Sequence, residues 1–253
     1  MPKLAVLILT YNEEENIVPC IESAVFADEV VVVDSGSTDR TVELARQLGA
    51  KVVTRKFDGF GTQRNFALTQ TDAEWVMYLD ADERITPALA VELRRTADSG
   101  EPAAYEILRH NYAFGQRVLH GGYRPDYSLR FYPRSAVSWE GVVHEQAAVT
   151  LPKRRLRGVM THHTYTDWDR YFVKFNSYTT LMARKMHEQG KRGGMFHIVF
   201  RPWWAFLRVY IFQSGWRDGS LGFILAMCHF FYTMTKYVKL YYMKKAQGKS
   251  ICE

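Results

Sequence analysis

Three acidic side chains stand within four positions of the segment YLDADERI, residues 78–85. Asp80, Asp82 and Glu83 follow an apolar run that ends at Leu79. Carboxylates this close repel one another unless a cation or a set of hydrogen-bond donors compensates them. Two kinds of structure meet that need: a helix start, where an acid caps free N–H groups, and a site for a divalent metal ion.

The spacing of Asp80 and Asp82 favours the metal ion. One residue separates them, so in an extended or turn conformation both carboxylates can face one side and share a hard cation with phosphate oxygens. Capping explains only one of the two acids. Thr86 and Pro87 follow and already supply a helix start, because Pro is favoured at the first helical position. The segment therefore predicts a metal–diphosphate site.

The elements that precede this segment predict how it is positioned. Apolar runs alternate with helical patterns from LAVLIL (4–9) to WVMYLD (75–80). This alternation predicts an α/β fold, with a mostly parallel sheet that has helices on both faces. Such sheets bind ligands at the carboxyl ends of their strands. The polar clusters TYNEEEN, DSGSTD and DADE each follow a strand, so we expect them at one edge of the sheet.

Two residues near these clusters are candidates for nucleotide binding. Asp34 ends a strand before a Ser-Gly-Ser turn, where an acid can accept hydrogen bonds from a nucleobase or a ribose. The alternative is that Ser37 or Asp39 simply caps the next helix. Arg64, in GTQRNFAL, is the nearest cation for a diphosphate, and its alternative interpretation is a solvated helix arginine.

Histidines and a glutamate further along the chain offer acid–base chemistry. Glu145 stands beside His144 in WEGVVHEQ, where a carboxylate near a metal or phosphate could act as a general base. A surface pair is the alternative. His162 and His163, in THHTY, could contact a metal or a diphosphate, although the residues alone favour ordinary packing.

The charge is divided unevenly along the chain. Residues 1–183 carry 21 Lys and Arg against 24 Asp and Glu, whereas residues 184–253 carry 12 against 3, a balance of +9. The same tail contains aromatic stretches such as RPWWAFLRVYIF, a mixture typical of a segment on an anionic membrane surface. Nucleic-acid binding is the competing interpretation, but the apolar content exceeds what phosphate contacts need.

Helical patterns fill this tail. One helix is expected to begin with Thr166 and Asp169 as a capping box, and two more are expected at 196–214 and 218–244. The apolar stretch 221–235 is shorter than the roughly 20 residues that span a bilayer.

The cysteines and the N-terminus bear on the compartment. Three distant cysteines predict neither a disulfide framework nor a cysteine zinc site, and the apolar run at 4–9 is too short for a signal peptide. We therefore expect a cytosolic protein.

The ordered set of motifs resembles a known family. ILTYNEEENI, VVVDSGSTDRT, GFGTQRNFAL, YLDADER and WEGVVHE are together similar to the family 2 inverting glycosyltransferases of GT-A fold. The similarity is strongest to small bacterial enzymes that add glucose or a related hexose to the inner core of lipopolysaccharide. It implies a GT-A (Rossmann-like) catalytic domain at 1–165 and a C-terminal helical, membrane-associating extension at 166–253.

The resemblance also implies roles for individual residues. Asp82 matches the second Asp of the D-x-D element, which binds Mg²⁺ or Mn²⁺, and further candidate ligands are Asp80, His144 and His162. Glu145 stands at the position of the catalytic base. The residues expected to bind the nucleotide sugar are Thr10, Tyr11, Glu13, Asp34, Arg64, Asp80 and Asp82. Those expected at the acceptor are Tyr123, Arg130, Arg134 and Trp139.

The implied enzyme moves a hexose from a UDP-sugar to a glycolipid acceptor. It would work in the cytoplasm, peripheral to the inner face of the cytoplasmic membrane, on an anionic inner-leaflet surface and without a nucleic-acid partner. Homo-oligomerisation is left open. The alternatives are a polyprenyl-phosphate or protein glycosyltransferase of the same fold, and a non-catalytic, sugar-nucleotide-binding membrane adaptor.

Overall fold

The computed structural model describes residues 1–123, 125–140, 146–165, 167–191 and 193–245. It divides the chain into two compact units. The first comprises Met1–His110 and Pro125–His162, and the second comprises Asn111–Arg124 and His163–Glu253. Two residues of the expected site, His144 and Glu145, lie outside the described residues. The domain division expected from the sequence, 1–165 and 166–253, stays a prediction.

Strands and helices alternate at first, strands then dominate, and long helices complete the chain. In chain order the strands and helices are β1 (Leu4–Thr10), α1 (Glu14–Glu22), β2 (Glu29–Asp34), α2 (Thr41–Gln47), β3 (Lys51–Thr54), α3 (Phe60–Leu68), β4 (Trp75–Asp80), β5 (Glu83–Ile85), α4 (Pro87–Ser99), β6 (Ala104–Ala113), β7 (Gln116–Arg117), β8 (Tyr127–Pro133), β9 (Val137–Glu140), β10 (Gln146–Val149), β11 (Lys153–Tyr165), α5 (Trp168–Glu188), α6 (Met195–Leu207) and α7 (Gly219–Lys245).

The first unit is built on a mixed sheet with the strand order β3-β2-β1-β4-β8-β6-β11-β5. Strands β3, β2, β1 and β4 run parallel, whereas β8 is antiparallel to β4 and β6, and β5 is antiparallel to β11. Successive residues of a strand point to opposite faces of the sheet. Leu4, Val6 and Ile8 therefore join a core with α1 and α4, and Ala5 and Leu7 join a second core with α3.

Helix α4 holds the edge of the sheet in place. It begins as the sequence predicts, because the Thr86 Oγ1 accepts a hydrogen bond from the Leu89 N–H at 3.3 Å and Pro87 is the first helical residue. The helix lies so close to β11 that a Cβ on Gly158 would stand 2.6 Å from the Leu89 Cα. Glycine is therefore required there. The Glu92 carboxylate accepts hydrogen bonds from the Gly158 N–H and its neighbour, which fixes β11 on α4.

The second unit is mainly helical, and α5 and α6 both pack against α7. Helix α5 is capped by Asp167, whose carboxylate accepts a hydrogen bond from the Arg170 N–H at 2.8 Å, and the predicted cap, Thr166, lies outside the described residues. Helix α7 passes so close to the preceding turn that a Cβ on Gly222 would meet the Gly215 carbonyl oxygen. No helix among the described residues combines the length and the apolar character needed to cross a membrane.

Candidate active site

The sheet brings three of the polar clusters together. Strands β2, β1 and β4 are parallel neighbours, and their registers pair Thr10 with Asp34 and Leu9 with Asp80. Their carboxyl ends, and the loops that follow them, therefore lie side by side. This is the edge at which sheets of this kind bind ligands.

Asp34 shapes the turn after β2. Its side chain is buried, with 1% exposed, and accepts hydrogen bonds from the N–H groups of Gly36 and Ser37 at 2.9 and 3.0 Å and from the Ser37 hydroxyl. The Ser37 hydroxyl in turn accepts from the Asn12 N–H at 2.8 Å, so the loops after β1 and β2 are tied together. Asp34 thus organises the backbone of the expected nucleoside site, and its direct nucleoside contact stays a prediction.

The capping interpretation of this turn applies to Asp39. Its carboxylate accepts hydrogen bonds from the N–H groups of Thr41 at 3.0 Å and Glu14 at 3.2 Å, the first residues of α2 and α1. One side chain therefore satisfies donors at two helix starts. Beside it, the Glu13 carboxylate accepts from the Asn16 amide at 2.8 Å, whereas Tyr11 is 57% exposed at the same edge.

Asp80 belongs to a network of charges beneath the strand ends. Its two carboxylate oxygens lie 2.5 Å from the Arg130 guanidinium and 3.4 Å from the Arg64 guanidinium. Glu83, which is fully buried, accepts hydrogen bonds from Arg130 at 2.8 Å, from Arg109 at 3.1 Å and from the Asp80 N–H at 3.0 Å. Arginines thus compensate the charges of Asp80 and Glu83.

These arginines set the ionisation of the network. Burial alone would raise the pKa of Asp80, but Arg130 and Arg64 outweigh it and hold that pKa well below the usual range. Burial would likewise lower the pKa of Arg130, and the charges of Asp80 and Glu83 raise it instead. Below the strand end, burial raises the pKa of the Cys20 thiol, which therefore remains protonated and is no candidate nucleophile.

Asp82 has a different environment from Asp80. Strand β5 pairs with β11 in a register that places His162 opposite Glu83, and the His162 Nε2 lies 3.5 Å from the Asp82 Oδ2. Both side chains retain some exposure, 17% for His162 and 19% for Asp82. The pairing of the three-residue strand β5 with β11 therefore brings Asp82 and His162 together at the edge of the sheet.

This pair fits a divalent cation in part. A carboxylate and an imidazole are ligands that Mn²⁺ accepts, and phosphate oxygens and water can complete its coordination. Asp82 and His162 would hold the ion, whereas the oxygens of Asp80 already face arginines. No group of three His, Cys, Asp or Glu side chains in the described part of the chain could hold a metal by itself. His144 lies outside that part.

Arg64 and Trp139 line a cleft beside the network. The Arg64 guanidinium stacks 4.5 Å from the centre of the Trp139 ring, and Asn65 exchanges two hydrogen bonds with the Trp139 backbone. The cleft has a volume of about 380 Å³, and Arg130 and Lys153 also line it. Three cations and an indole therefore surround a space suited to an anionic or sugar ligand.

The expected acceptor residues do not all meet there. Arg130 lines the cleft but is only 4% exposed and is held by Asp80 and Glu83, so its position does not favour a direct acceptor contact. Arg134 donates its backbone N–H to the Glu74 carbonyl, just before β4 and therefore about 20 Å along the strand from Asp80. Tyr123 belongs to the second unit, in the turn Gly121–Tyr123, and its acceptor role stays a prediction.

Sequence reasoning missed the partners of Glu83. It assigned no role to Arg109, which bridges Glu83 and Asp126 with a bidentate contact of 3.0 Å to the latter. The available signal was a charged residue within the strand segment AAYEILRH, but it gave no indication of the partner.

Comparison with known proteins agrees with this architecture. Residues 5–150, more than half of the chain, match the family described as Glycosyl transferase family 2. The chain is 32% identical to the lipopolysaccharide core biosynthesis glycosyltransferase LpsC of Rhizobium meliloti (strain 1021), over 95% of this chain and 93% of that protein. It is 27% identical to the uncharacterized glycosyltransferase RT0209 of Rickettsia typhi, over 95% and 87%.

A solved structure extends the comparison to the fold. S. aureus TarS 1-349 in complex with UDP-GlcNAc superimposes with a TM-score of 0.51 over 97% of this chain and 92% of that chain, at 15% identity. The protein therefore has a GT-A-like fold with a C-terminal helical extension, and it is a glycosyltransferase. It belongs to glycosyl transferase family 2. The family, the fold class and the enzyme class expected from the sequence are confirmed.

Proposed function

We propose that this enzyme transfers a hexose, with glucose as the first candidate, from a UDP-sugar to a sugar hydroxyl of a membrane-anchored glycolipid such as lipopolysaccharide core. The similarity to LpsC along almost the whole chain supports this acceptor class. The observation that carries the donor assignment is the meeting of Asp82 and His162 beside the loops of β1 and β2.

The donor would lie along the carboxyl ends of the strands. Thr10, Tyr11, Glu13 and the turn held by Asp34 are proposed to surround the nucleoside, and Arg64 to face the diphosphate. Asp82 and His162 would hold Mg²⁺ or Mn²⁺, which when bound neutralises diphosphate charge. Asp80, paired with Arg130 and Arg64, would stay ionised and hold the Arg64 guanidinium towards the donor.

Transfer would proceed by a single displacement. Glu145 would take the proton from an acceptor hydroxyl while that oxygen bonds to the anomeric carbon. The bond from that carbon to the diphosphate oxygen breaks on the opposite face, and its electron pair leaves with UDP. The configuration at the anomeric carbon is therefore inverted, and no covalent enzyme intermediate forms.

We expect Glu145→Gln to separate binding from chemistry. The amide cannot accept the hydroxyl proton, so transfer should fall by about 10²–10⁴-fold. Donor binding should persist, because Glu145 is not proposed to touch the nucleotide. The measurement is UDP release from UDP-glucose with a core glycolipid acceptor, together with the thermal shift caused by UDP and Mn²⁺.

Glu101→Gln is the matched control for this substitution. Glu101 is exposed and pairs only with the exposed Arg154 among the ion pairs of the described residues, so its loss should leave the transfer rate unchanged. If the Glu145→Gln enzyme transfers sugar at the full rate, Glu145 is not the general base.

The identity of the glycosylated product decides between a glycolipid acceptor and the alternative polyprenyl-phosphate or protein acceptors.

We further propose that the enzyme works at the inner face of the cytoplasmic membrane. The balance of +9 in residues 184–253 supports attraction to anionic lipids, since each Lys or Arg near such a surface contributes about 1 kcal/mol. A membrane-anchored acceptor also requires that the enzyme reach the surface.

A further inference from the structure

The apolar side of helix α6 faces outwards. Its apolar side chains at i, i+3, i+4, i+7, i+8 and i+11 are all exposed, with fractions from 42% to 66%: Phe196, Val199, Phe200, Trp203, Trp204 and Leu207. The buried residues Pro202 and Ala205 lie on the opposite side of the helix. An amphipathic helix in a globular protein normally turns its apolar stripe to the core. Here Trp203 contacts Phe230 of α7 and Trp204 contacts Phe212, yet both indoles stay more than half exposed, so a large apolar patch remains on the surface.

Cations gather beside this helix. Arg201 lies 5.8 Å from the centre of the Tyr237 ring, and the Lys236 Nζ lies 5.8 Å from the same ring and 5.4 Å from that of Tyr232. The pKa of Lys236 is lowered by burial and then by the charges of Arg201 and Lys191. Arg201 and Lys236 therefore repel one another across the Tyr237 ring that they share.

The surrounding sequence does not neutralise them. The chain has no Asp or Glu between positions 189 and 217, or between 219 and 252. The one acid between these stretches, Asp218, is engaged with the His120 ring at 2.7 Å. The His197 ring stacks on Tyr237, and its Nδ1 is buried without a hydrogen-bond partner among the residues that the structure describes. Such a cluster is complementary to phosphate groups.

We propose that the outer face of α6 is the membrane-docking surface of this enzyme, with Phe196, Phe200, Trp203 and Trp204 inserted among lipid chains and Lys191, Arg201 and Lys236 bound to the phosphates of anionic lipid headgroups. Tryptophan and phenylalanine on one face and Lys or Arg beside them suit a helix that lies in the plane of a bilayer interface. This docking surface rests on the proposed function in one respect: an enzyme whose acceptor is anchored in a membrane must itself bind that membrane.

The test is co-sedimentation of the full-length protein with vesicles of phosphatidylcholine, with and without phosphatidylglycerol. The wild type should bind the anionic vesicles more tightly, and added salt should reduce the difference. The double substitution Trp203→Ser and Trp204→Ser should weaken binding to the anionic vesicles by at least about tenfold, because two buried indoles are lost. Lys191→Ala with Arg201→Ala should weaken it by about 30-fold.

The matched control changes the same residue classes on another exposed helix. Val91 and Arg95 lie one turn apart on α4 and are both exposed, so Val91→Ser with Arg95→Ala should bind vesicles as the wild type does. Equal binding to both vesicle types that neither α6 variant alters would overturn the proposal. A second outcome would also overturn it: the wild type binds no vesicles but self-associates, as light scattering shows, and the tryptophan variant does not self-associate. A second copy of the chain would then cover this face.

Failure of this inference is distinguishable from failure of the proposed function. The thermal shift caused by UDP-glucose and Mn²⁺ needs no vesicle, and the α6 variants should retain it. If the protein binds vesicles as predicted but no UDP-sugar stabilises it, the docking surface is supported and the proposed donor is wrong. If UDP-glucose and Mn²⁺ stabilise the protein but it does not bind vesicles as predicted, the donor is supported and the docking surface is wrong.

Discussion

Asp82→Ala is expected to lower the rate of sugar transfer by about three orders of magnitude, because a bound cation contributes several kcal/mol to the stabilisation of developing charge. The substitution removes the carboxylate that faces His162 and leaves the arginine network around Asp80 intact. The side chain is 19% exposed and lies at the end of a turn, so the fold should tolerate the change. The measurement is the initial rate of UDP release as a function of Mn²⁺ concentration.

A second readout separates metal binding from catalysis. The paramagnetic resonance signal of free Mn²⁺ should fall when wild-type protein and UDP are added, and it should fall much less with Asp82→Ala. His162→Ala should give an intermediate loss of Mn²⁺ affinity, since one of two protein ligands remains. Asp98→Ala, which removes an exposed carboxylate from α4, is the control and should behave as the wild type. Unchanged Mn²⁺-dependent turnover by Asp82→Ala would refute the metal assignment.

Arg130→Met is expected to destabilise the protein more than any other single change in the network. The substitution roughly preserves side-chain length but leaves the buried Glu83 and the partly buried Asp80 short of a cation. Breaking a buried pair by removing one partner costs about 3–5 kcal/mol. For a chain of this length that corresponds to a fall of roughly 10 °C in Tm. Thermal unfolding followed by far-ultraviolet circular dichroism measures it.

Arg95→Met provides the comparison, because Arg95 is exposed on α4 and its loss should change Tm little. The double variant Arg130→Met with Glu83→Gln should be less destabilised than the sum of the two single variants, since the second change removes a charge that the first left unpaired. Additive effects, or a Tm for Arg130→Met within a degree or so of the control, would show that the ion pairs do not couple as their geometry indicates.

The local pattern of the sequence predicted the first half of the sheet and not the contacts across it. Continuous apolar runs identify β1, β2 and β4 because both faces of a parallel strand are buried. Strand β5 has only three residues, too few for any periodicity, yet its pairing with β11 brings His162 to Asp82. Packing was therefore the favoured interpretation of His162 from sequence alone.

The direction in which a side chain points was also beyond the sequence. In the sequence, Arg130 is a single charged residue in the apolar strand segment YSLRFYP. Its neighbours in sequence do not indicate that it faces the carboxylates of Asp80 and Glu83. The same limit applies to α6. Periodicity predicts that Phe196, Phe200 and Trp204 share a face, but only the packing of α6 against α7 shows that this face turns away from its neighbours.

The most direct test of the central claim is the thermal stability of the purified protein with UDP-glucose, with GDP- and dTDP-sugars, and with each of these plus Mn²⁺. A ligand that binds the native state at a concentration 100 times its Kd stabilises the protein by about 2.7 kcal/mol, which should raise Tm by several degrees. We predict this rise for UDP-glucose with Mn²⁺ and a much smaller one without metal. The absence of a shift with every UDP-sugar tested, or an equal shift with and without Mn²⁺, would contradict the account.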